Sequence, residues 1–473
     1  MLIRLLECLH GALETSAVVY GGMSLLFLLS LAITVVIQTG NTSTTLRKPR
    51  HMRKLGVSKS NMADQYDSEF GVPEGTTTNG PLSIKAIYIH PVKSCGPIEL
   101  DRALLTKSGF LYDRFFALAA EVIETQDTST GDSGSKWQFI SQRTKPSMSR
   151  IKTELWLPHE RSNTNDPLVQ AGGCVVLTFP DPDTSSWIAR LETIFHTGSI
   201  SATPRISFIA PLQPTPAQIA QSQVKPKTFR IHARDVTGLD LGTIPSVSAV
   251  LPKLKRFLGI PKTQGLTLLK CTPESLTRTD RNLAPLEYIG SPATHGYTDQ
   301  QPININSLSS VHATSALLPI ENQPLNALRF RANIWMTGAP AYAEETWKRY
   351  RILPKETSMG PRADVAPTLS VVCRTSRCTI PNVDPDTGTF ETDRPLPGKK
   401  KGKPQPSTTL VEHRTVETGN KKALGYMGMH CVPEDRDLVE AARQGAGLYV
   451  EVGDTIEVLE RGEHLYGSTG NDY

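Results

Sequence analysis

Apolar and polar residues alternate over short stretches through most of the chain, which predicts short β-strands. The clearest example is residues 83–90 (SIKAIYIH), after which Pro91 interrupts the pattern. Other predicted strands lie at residues 114–120, 137–141, 174–179, 333–337, 369–373 and 448–460, the last with a turn at 452–455. The segment 81–245 is therefore expected to be rich in β-structure and to form a small barrel or a curled sheet.

Apolar residues follow helical spacing in three stretches of the soluble part: 247–258, 307–318 and 342–350. In the first stretch, Pro252 must lie in the opening turn of the helix or break it. The expected fold class is therefore β-rich α+β, with an N-terminal β-barrel domain at residues 81–245 and a second domain with short helices at 246–465. Within the second domain, residues 394–412 form a basic, proline-rich insertion, expected to be a mobile surface loop.

The N-terminal region carries one long apolar run. Residues 17–37 are apolar almost throughout, and no charge occurs over residues 15–46. At about 1.5 Å per residue, a helix of this length spans the roughly 30 Å hydrocarbon core of a bilayer. We therefore predict a transmembrane signal anchor at residues 15–38, after a short segment at 1–14 and before a polar, basic tether at 39–80. A cleaved signal peptide is disfavoured because the run is longer than usual and no Ala-x-Ala site follows.

The charges that flank this run predict its orientation. Arg4, Glu7 and Glu14 precede it. Five basic residues follow it: Arg47, Lys48, Arg50, Arg53 and Lys54. Because basic residues stay on the cytosolic side, the body of the protein is expected in the cytosol. Seven scattered cysteines with no CxxC pair agree with a reducing compartment and argue against a disulfide scaffold or a structural zinc site.

Composition narrows the class of protein. The chain has 473 residues, of which 38% are hydrophobic and 21% charged, which suits two or three folded domains. Gly and Pro are numerous, at 35 each, and argue against a helical bundle or a coiled coil. A net charge of +5 is small for this length, so nothing in the overall charge requires nucleic acid.

Basic side chains recur where the predicted strands begin or end. Lys93 and Ser94 follow Pro91 and could bind an anion with the turn amides, although both are ordinary loop residues. Arg114 enters an apolar strand, so it either pairs with Asp113 or faces a ligand. Arg329 and Arg331 could share a strand face and bind an anion, or they could lie on a solvated strand edge.

Cys378 is the cysteine with the strongest chemical context. It follows a predicted buried strand, it stands next to Arg377, and a turn with the sequence DPDTG comes after it. A neighbouring cation favours the thiolate, which is both a nucleophile and a soft metal ligand. A reduced structural thiol is the alternative.

Five motifs, taken in this order, resemble the MOSC-domain proteins, and most closely their amidoxime-reducing branch. The resemblance covers roughly residues 81–462, and the chief motif is SRCTIPNVDPDTG. The motifs are YIHPVKSC (88–95), YDRFF (112–116), RFRANIWMTG with YAEETW (329–347), SRCTIPNVDPDTG (376–388) and GMHCVP with VGDTIEVLE (428–460). The resemblance implies an N-terminal MOSC-type β-barrel followed by a MOSC β-barrel core.

The resemblance also implies a molybdenum cofactor of the molybdopterin type. Cys378 matches the cysteine that ligates the metal. The residues that would hold the pterin and its phosphate are Lys93, Ser94, Arg114, Arg331, Ser376 and Arg377. His430 could contact the cofactor, relay protons or have no role. The segment Thr298–Pro302 departs from the family pattern, which leaves cofactor contacts there open.

The implied activity is the reduction of N-hydroxylated substrates such as amidoximes and hydroxylamines. The implied electron donors are a membrane-bound b-type cytochrome and an NADH-dependent cytochrome reductase, and the implied location is the outer mitochondrial membrane. The insertion could help to dock an acidic donor, or it could only decorate the surface.

Two other functions stay open at this point. Cys378 could carry a persulfide in a sulfur-carrying MOSC protein, although residues 1–80 leave no room for the large PLP-binding region of a full sulfurase. Alternatively, the chain could store or deliver the cofactor at the membrane.

Overall fold

The computed structural model describes residues 18–31, 33–34, 49, 52–78, 80–122, 136–183, 193–194, 198–200, 203–279, 284–357, 360–361, 364–395, 397–417 and 424–464. They fall into two compact units, one made of residues 1–48 and 180–208 and the other of residues 49–179 and 209–473. In the first unit, residues 18–31 are helical and exposed. None of the described helices is both long and apolar enough to cross a membrane. The predicted anchor at 15–38 lies partly outside the described residues and stays a prediction.

The strands are short and numerous, as the alternating pattern predicts. They are β1 (Met52–Leu55), β2 (Ser83–Ile89), β3 (Ile98–Leu100), β4 (Arg102–Thr106), β5 (Gly109–Phe110), β6 (Phe116–Glu121), β7 (Trp137–Phe139), β8 (Lys152–Pro158), β9 (Cys174–Pro180), β10 (Arg205–Pro211), β11 (Pro226–Ile231), β12 (Arg234–Asp240), β13 (Leu266–Lys270), β14 (Thr277–Arg278), β15 (Thr294–His295), β16 (Ile303–Ser307), β17 (Ile334–Thr337), β18 (Trp347–Leu353), β19 (Glu356–Thr357), β20 (Gly360–Pro361), β21 (Thr368–Arg377), β22 (Gly425–Pro433), β23 (Leu448–Glu451) and β24 (Thr455–Arg461).

The labelled helices are all short. They are α1 (Pro167–Gln170), α2 (Pro216–Ser222), α3 (Pro245–Ser248), α4 (Leu251–Phe257), α5 (Leu286–Ile289), α6 (Leu308–Leu317), α7 (Ser407–His413) and α8 (Asp435–Arg443). Single 3-10 turns occur at Ser68–Phe70, Pro146–Arg150, Leu241–Thr243, Pro273–Ser275, Ile320–Asn322, Ala327–Phe330, Ala343–Thr346 and Ile380–Asn382. The expected β-rich class with few, short helices is therefore confirmed.

The largest sheet of the second unit has eight strands in the order β17-β16-β22-β21-β18-β24-β2-β3. Strand β17 also pairs with β2, so the strands from β17 to β2 form a ring. One side of this ring is covered by α6, because Leu308 and Val311 pack in one core with Tyr88 of β2, Trp335 of β17 and Met427 of β22. Removing such large apolar surfaces from water stabilises the ring.

A second, closed barrel has five strands in the order β11-β12-β13-β6-β7. Ala117 and Ala119 of β6 leave room in its core for the rings of Phe229 and Tyr297. These two rings pack edge to face with their centroids 5.2 Å apart. The barrel stands next to the ring, since Val92, which follows β2, forms an isolated bridge with Phe116 of β6.

Both sheets draw strands from both sides of the predicted boundary between residues 245 and 246. Strand β13 completes the five-stranded barrel although it lies after the boundary, and β2 and β3 join the eight-stranded sheet although they lie before it. The division into domains 81–245 and 246–465 stays a prediction, and the sheets show that the two segments are interlocked.

The amphipathic helix predicted at residues 342–350 is wrong. A single 3-10 turn, Ala343–Thr346, leads directly into β18. Trp347 and Tyr350 are both buried, and their spacing of three imitates a helix. The pairing of β18 with β21 and β24 on its two sides decides for the strand.

The insertion at residues 394–412 is only partly a loop. Its last residues belong to α7, where Thr409 and Leu410 are buried. Its base is fixed by an isolated bridge between Thr392 and Pro404. Lys399, Lys400 and Lys401 are exposed, as expected for a surface segment.

Candidate active site

A cleft with an empty volume of about 850 Å³ lies beside the end of β21. All eight residues singled out from the sequence line it: Lys93, Ser94, Arg114, Arg331, Ser376, Arg377, Cys378 and His430. They come from loops and strands that are up to several hundred residues apart in sequence. Their proximity is therefore a product of the fold, and their individual roles stay predictions.

Three of these residues have a backbone conformation that is uncommon for residues other than glycine. Ser94, Arg114 and Arg331 have φ values of 66°, 53° and 54°. Such a conformation costs on the order of 1 kcal/mol or more and persists only where neighbouring contacts enforce it. It turns each chain segment sharply at the cleft wall.

Arg114 and Arg331 form one cationic wall. Arg114 forms an ion pair with Asp113, and its guanidinium also donates to the Arg331 carbonyl at 3.1 Å. Asp113 is fixed in turn because it accepts from the His90 backbone N–H at 2.7 Å. Arg331 donates to the Cys95 carbonyl at 2.9 Å. Burial, together with the charge of Arg114, lowers the pKa of Arg331 to about 10.

Arg329 has a different role from Arg331. The two do not share a strand face, because Ala327–Phe330 is a 3-10 turn and the strand begins only at Ile334. Arg329 forms ion pairs with Asp384 at 3.2 Å and with Glu391 at 2.7 Å. It therefore holds the loop after Cys378 in place, and the expectation of a paired anion fork is corrected.

Lys93 reaches across the cleft to Asp299. Its ammonium forms an ion pair with that carboxylate and lies 5.0 Å from the centroid of the Phe139 ring. Burial lowers the pKa of Lys93 to about 8. Burial also opposes ionisation of Asp299, but Lys93 and His232 outweigh it and hold the pKa of Asp299 well below its usual range.

Cys378 follows β21 directly, since the strand runs to Arg377, four residues beyond the predicted end. The side chain is half-buried. Burial raises the pKa of its thiol more than Arg143 and Arg377 lower it. Arg377 therefore favours the thiolate, as expected from the sequence, but burial outweighs its effect.

His430 lies on β22 opposite Asn304 and Cys373. Burial lowers its pKa to about 3, with Arg377 adding to the effect, so the ring is neutral. Four buried polar atoms of the cleft wall have no hydrogen-bond partner among the described residues: Thr298 Oγ1, Gln301 Oε1, Arg329 Nε and His430 Nδ1. Buried polar atoms are rarely left unpaired, so these four mark where a polar ligand fits.

Four further residues at this site were not predicted from the sequence: Phe139, Arg143, His232 and Asn304. The Asn304 amide donates to Thr375 Oγ1 at 2.6 Å and accepts from Arg377 at 3.2 Å, which fixes the end of β21. Arg143 lies in the turn after β7. His232 lies between β11 and β12 of the five-stranded barrel. Their partners are more than 60 positions away, so no local pattern could have linked them.

Comparisons with known proteins agree with the two-part arrangement. Residues 82–186 match the family described as MOSC N-terminal beta barrel domain, and residues 292–457 match the MOSC domain family. The chain is 22% identical over 318 residues to mitochondrial amidoxime reducing component 2 of Homo sapiens, covering 66% of this chain and 70% of that protein. It is 26% identical over 196 residues to mitochondrial amidoxime-reducing component 1 of Homo sapiens, covering 41% and 48%.

A third relative, mitochondrial amidoxime reducing component 2 of Rattus norvegicus, is 28% identical over 171 residues, which is 36% of this chain and 45% of that protein. The chain thus spans less than half the length of two of these three relatives. The resemblance to the family is confirmed, and the cleft lies where segments matched by both domain families meet, since Lys93 and Arg114 fall in one and Cys378 in the other.

Proposed function

This chain contains a MOSC N-terminal β-barrel domain and a MOSC domain, and we propose that it is a molybdenum-cofactor oxidoreductase that reduces N-hydroxylated substrates. In this reaction the N–O bond breaks. Two electrons and two protons are consumed, the nitrogen is reduced, and the oxygen leaves as water. Amidoximes, which become amidines, are the substrate class that the names of the relatives point to.

The carrying observation is the composition of the cleft. A half-buried cysteine stands beside buried cations and four buried polar atoms that lack partners in the described part of the chain. A thiolate suits molybdenum, and guanidinium and ammonium groups suit the phosphate of the pterin. The residues present therefore fit a molybdenum cofactor of the molybdopterin type.

In this proposal, the side chains of the cleft hold different parts of the cofactor. Cys378 provides the sulfur ligand to the metal. Lys93, Arg114 and Arg331 supply positive charge for the phosphate, with the Ser94 hydroxyl as a further donor. When bound, the cofactor supplies two-electron redox chemistry at the oxygen of the substrate.

Other residues on the same walls orient the site. Arg377 donates to the carbonyls of Met427 and Phe330, both at 2.8 Å, so its charge is held still beside Cys378. Ser376 lies on β21 opposite Tyr426 and faces the same cleft. The neutral His430 offers an unpartnered ring nitrogen to the bound group. A rigid arrangement of this kind stabilises charge without reorganising during the reaction.

The proposal includes an electron source and a location. The expected donors are a b-type cytochrome and an NADH-dependent cytochrome reductase, and the expected anchor is the N-terminal apolar run at the outer mitochondrial membrane. Two proteins anchored in one membrane meet at a raised effective concentration. The exposed lysines at 399–401 are the proposed docking segment for an acidic donor.

The test starts with the purified full-length chain. Molybdenum and pterin content is measured first, and benzamidoxime reduction is then followed with dithionite-reduced methyl viologen as the electron source. We expect stoichiometric molybdenum and formation of benzamidine. Protein without molybdenum but with a cyanide-labile sulfur on Cys378 would instead support the sulfur carrier. Molybdenum without reduction would support a delivery protein.

A further inference from the structure

Arg143 stands apart from the other cations of the cleft. It follows β7 and lines the cleft on the side of the five-stranded barrel, next to Phe139. The family resemblance assigns it no contact with the cofactor. Its position therefore raises the question of which ligand its charge serves.

Two of its cationic neighbours pair with carboxylates of the chain. Lys93 pairs with Asp299, and Arg114 pairs with Asp113. Arg331 donates to a backbone carbonyl deep in the wall. Within the described residues, no ion pair joins Arg143 to a carboxylate, and its hydrogen bonds there involve only Nη2. Its guanidinium thus keeps donors and a full charge available to the cleft.

His232 holds this guanidinium in place. Arg143 Nη2 lies 3.0 Å from Nδ1 and 3.1 Å from Nε2 of the His232 ring. The Asp299 carboxylate lies 3.0 Å from His232 Nε2. Because an ionised carboxylate only accepts, Nε2 donates to Asp299, which leaves Nδ1 to accept from Arg143. The Phe139 ring packs edge to face on His232, with centroids 5.4 Å apart.

The guanidinium also lies at the same cleft as Cys378, the proposed metal ligand, since both side chains line it. A side chain held by packing and by a hydrogen bond loses little further entropy when it binds a ligand. Arg143 is therefore prepared to bind an anionic group that lies next to the metal ligand.

We propose that Arg143 is a specificity-determining residue that selects N-hydroxylated substrates carrying a carboxylate. The inference rests on the proposed function and adds a substrate class to it. The planar guanidinium can donate two parallel N–H···O hydrogen bonds to a carboxylate, which gives both affinity and direction. A neutral substrate of the same shape cannot accept these two charge-assisted hydrogen bonds.

The test compares two matched substrates, 4-carboxybenzamidoxime and 4-carbamoylbenzamidoxime, with the full-length protein and a chemical reductant. In the wild type we expect kcat/KM to favour the carboxylate by about tenfold. In Arg143→Gln this ratio falls to about one, and in Arg143→Lys it is intermediate because the charge stays and the fork is lost. Lys145→Gln, two residues away and bonded to the Gly259 carbonyl, keeps the wild-type ratio.

A binding measurement keeps the inference separate from the proposed function. Calorimetry with 4-carboxybenzamidine and 4-carbamoylbenzamidine needs no turnover, and the same tenfold preference is expected in the wild type and absent in Arg143→Gln. If neither amidoxime is reduced but this preference is found, the proposed function fails and the anion site stands. Equal affinities in the wild type overturn the inference. So does an Arg143→Gln protein that loses pterin, because Arg143 then serves the cofactor.

Discussion

Strand β21 carries two arginines three positions apart that lie in opposite surroundings. Arg374 donates to Glu345 at 2.9 Å and lies 3.8 Å from a Glu417 oxygen. Arg414 forms an ion pair with the same Glu345. Arg377, in contrast, donates to carbonyls and to Asn304 and faces the cleft. Arg374 lies beside carboxylates of the chain, while Arg377, three residues further along the same strand, presents positive charge to a cavity.

The difference between Arg374 and Arg377 distinguishes charges that stabilise the fold from charges that can bind a ligand. Burying a charge is costly, and the chain offsets the cost at Arg374 with carboxylates of its own. The cleft is lined by six cationic side chains and by one carboxylate, Asp299. The excess is retained where a ligand can supply the negative charge. We refer below to the Glu345, Arg374, Arg414 and Glu417 side chains as the matched cluster.

The largest expected effect comes from the sulfur in the cleft. Cys378→Ala should lower the kcat/KM for benzamidoxime at least ~1,000-fold, which is about 4 kcal/mol of transition-state stabilisation, because the metal loses its protein ligand. Thermal unfolding should shift little, since the side chain is half-buried and small. Cys373→Ala, on the same strand and buried, is the matched control and should keep its molybdenum. Normal turnover by Cys378→Ala would refute the assignment of the metal ligand.

A change in the matched cluster should have the opposite profile. Glu345→Gln removes the carboxylate that pairs with both Arg374 and Arg414, and only Glu417 stays near Arg374, so we expect a loss of about 3 kcal/mol in the free energy of unfolding. Urea unfolding of the full chain measures it. Glu412→Gln, which breaks an exposed pair with Lys403, should cost less than about 1 kcal/mol. If both variants were equally stable, the charges of the cluster would not be structural.

The sequence predicted many of the residues that line the cleft, but not the contacts that position them. Motifs pointed to Cys378, Arg331 and Lys93, and the strand pattern placed β2 and β9 within a residue of their ends. The pattern failed at β18, where buried residues three apart imitate a helix. Arg143 and His232 carry no local signal, because their roles arise from contacts between distant segments.

The sequence also did not predict which arginine of β21 is neutralised by carboxylates. Arg374 and Arg377 are near neighbours with the same chemistry, and nothing in SVVCRTSRC distinguishes them. Glu345 and Glu417, which neutralise one of them, lie 29 and 43 positions away from it. Whether an arginine of β21 lies beside carboxylates or faces the cleft is therefore a property of the fold alone.

Glu344 sharpens the comparison through pH, because it is a buried carboxyl beside the matched cluster. Its Oε1 accepts from Ser310 at 2.8 Å, and burial raises its pKa to about 7. Between its unfolded pKa near 4.5 and about 7, the folded state holds more protons than the unfolded state, so this group lowers stability as pH rises. Glu344→Gln removes the ionisation.

The measurement is the difference in free energy of unfolding between Glu344→Gln and the wild type at several pH values. The advantage of the variant should grow by about 3 kcal/mol from pH 4.5 to pH 7 and stay constant above that. Taking the difference cancels buried histidines such as His295, whose lowered pKa acts in the opposite direction. A constant difference across this window would mean that Glu344 ionises normally.

The smallest expected effect concerns the exposed lysines of the insertion. Lys399, Lys400 and Lys401 are exposed. The base of their segment is tied to the loop after Cys378, because the Gln405 backbone N–H donates to the Glu391 carbonyl at 3.1 Å and the Ser407 backbone N–H donates to Asn382 Oδ1 at 2.9 Å. Reversing the three lysines to glutamate should lower kcat/KM for an acidic b-type cytochrome by about tenfold at low salt, through slower association.

The choice of reductant then separates docking from chemistry. With methyl viologen the triple variant should match the wild type, since the cleft is unchanged. Raising the ionic strength should shrink the difference seen with the cytochrome, because screening weakens steering between exposed charges. Reversing Arg53, Lys59 and Lys262, which are also exposed, is the charge-matched control. A salt-independent loss, or an equal loss in that control, would show that the insertion is not the docking segment.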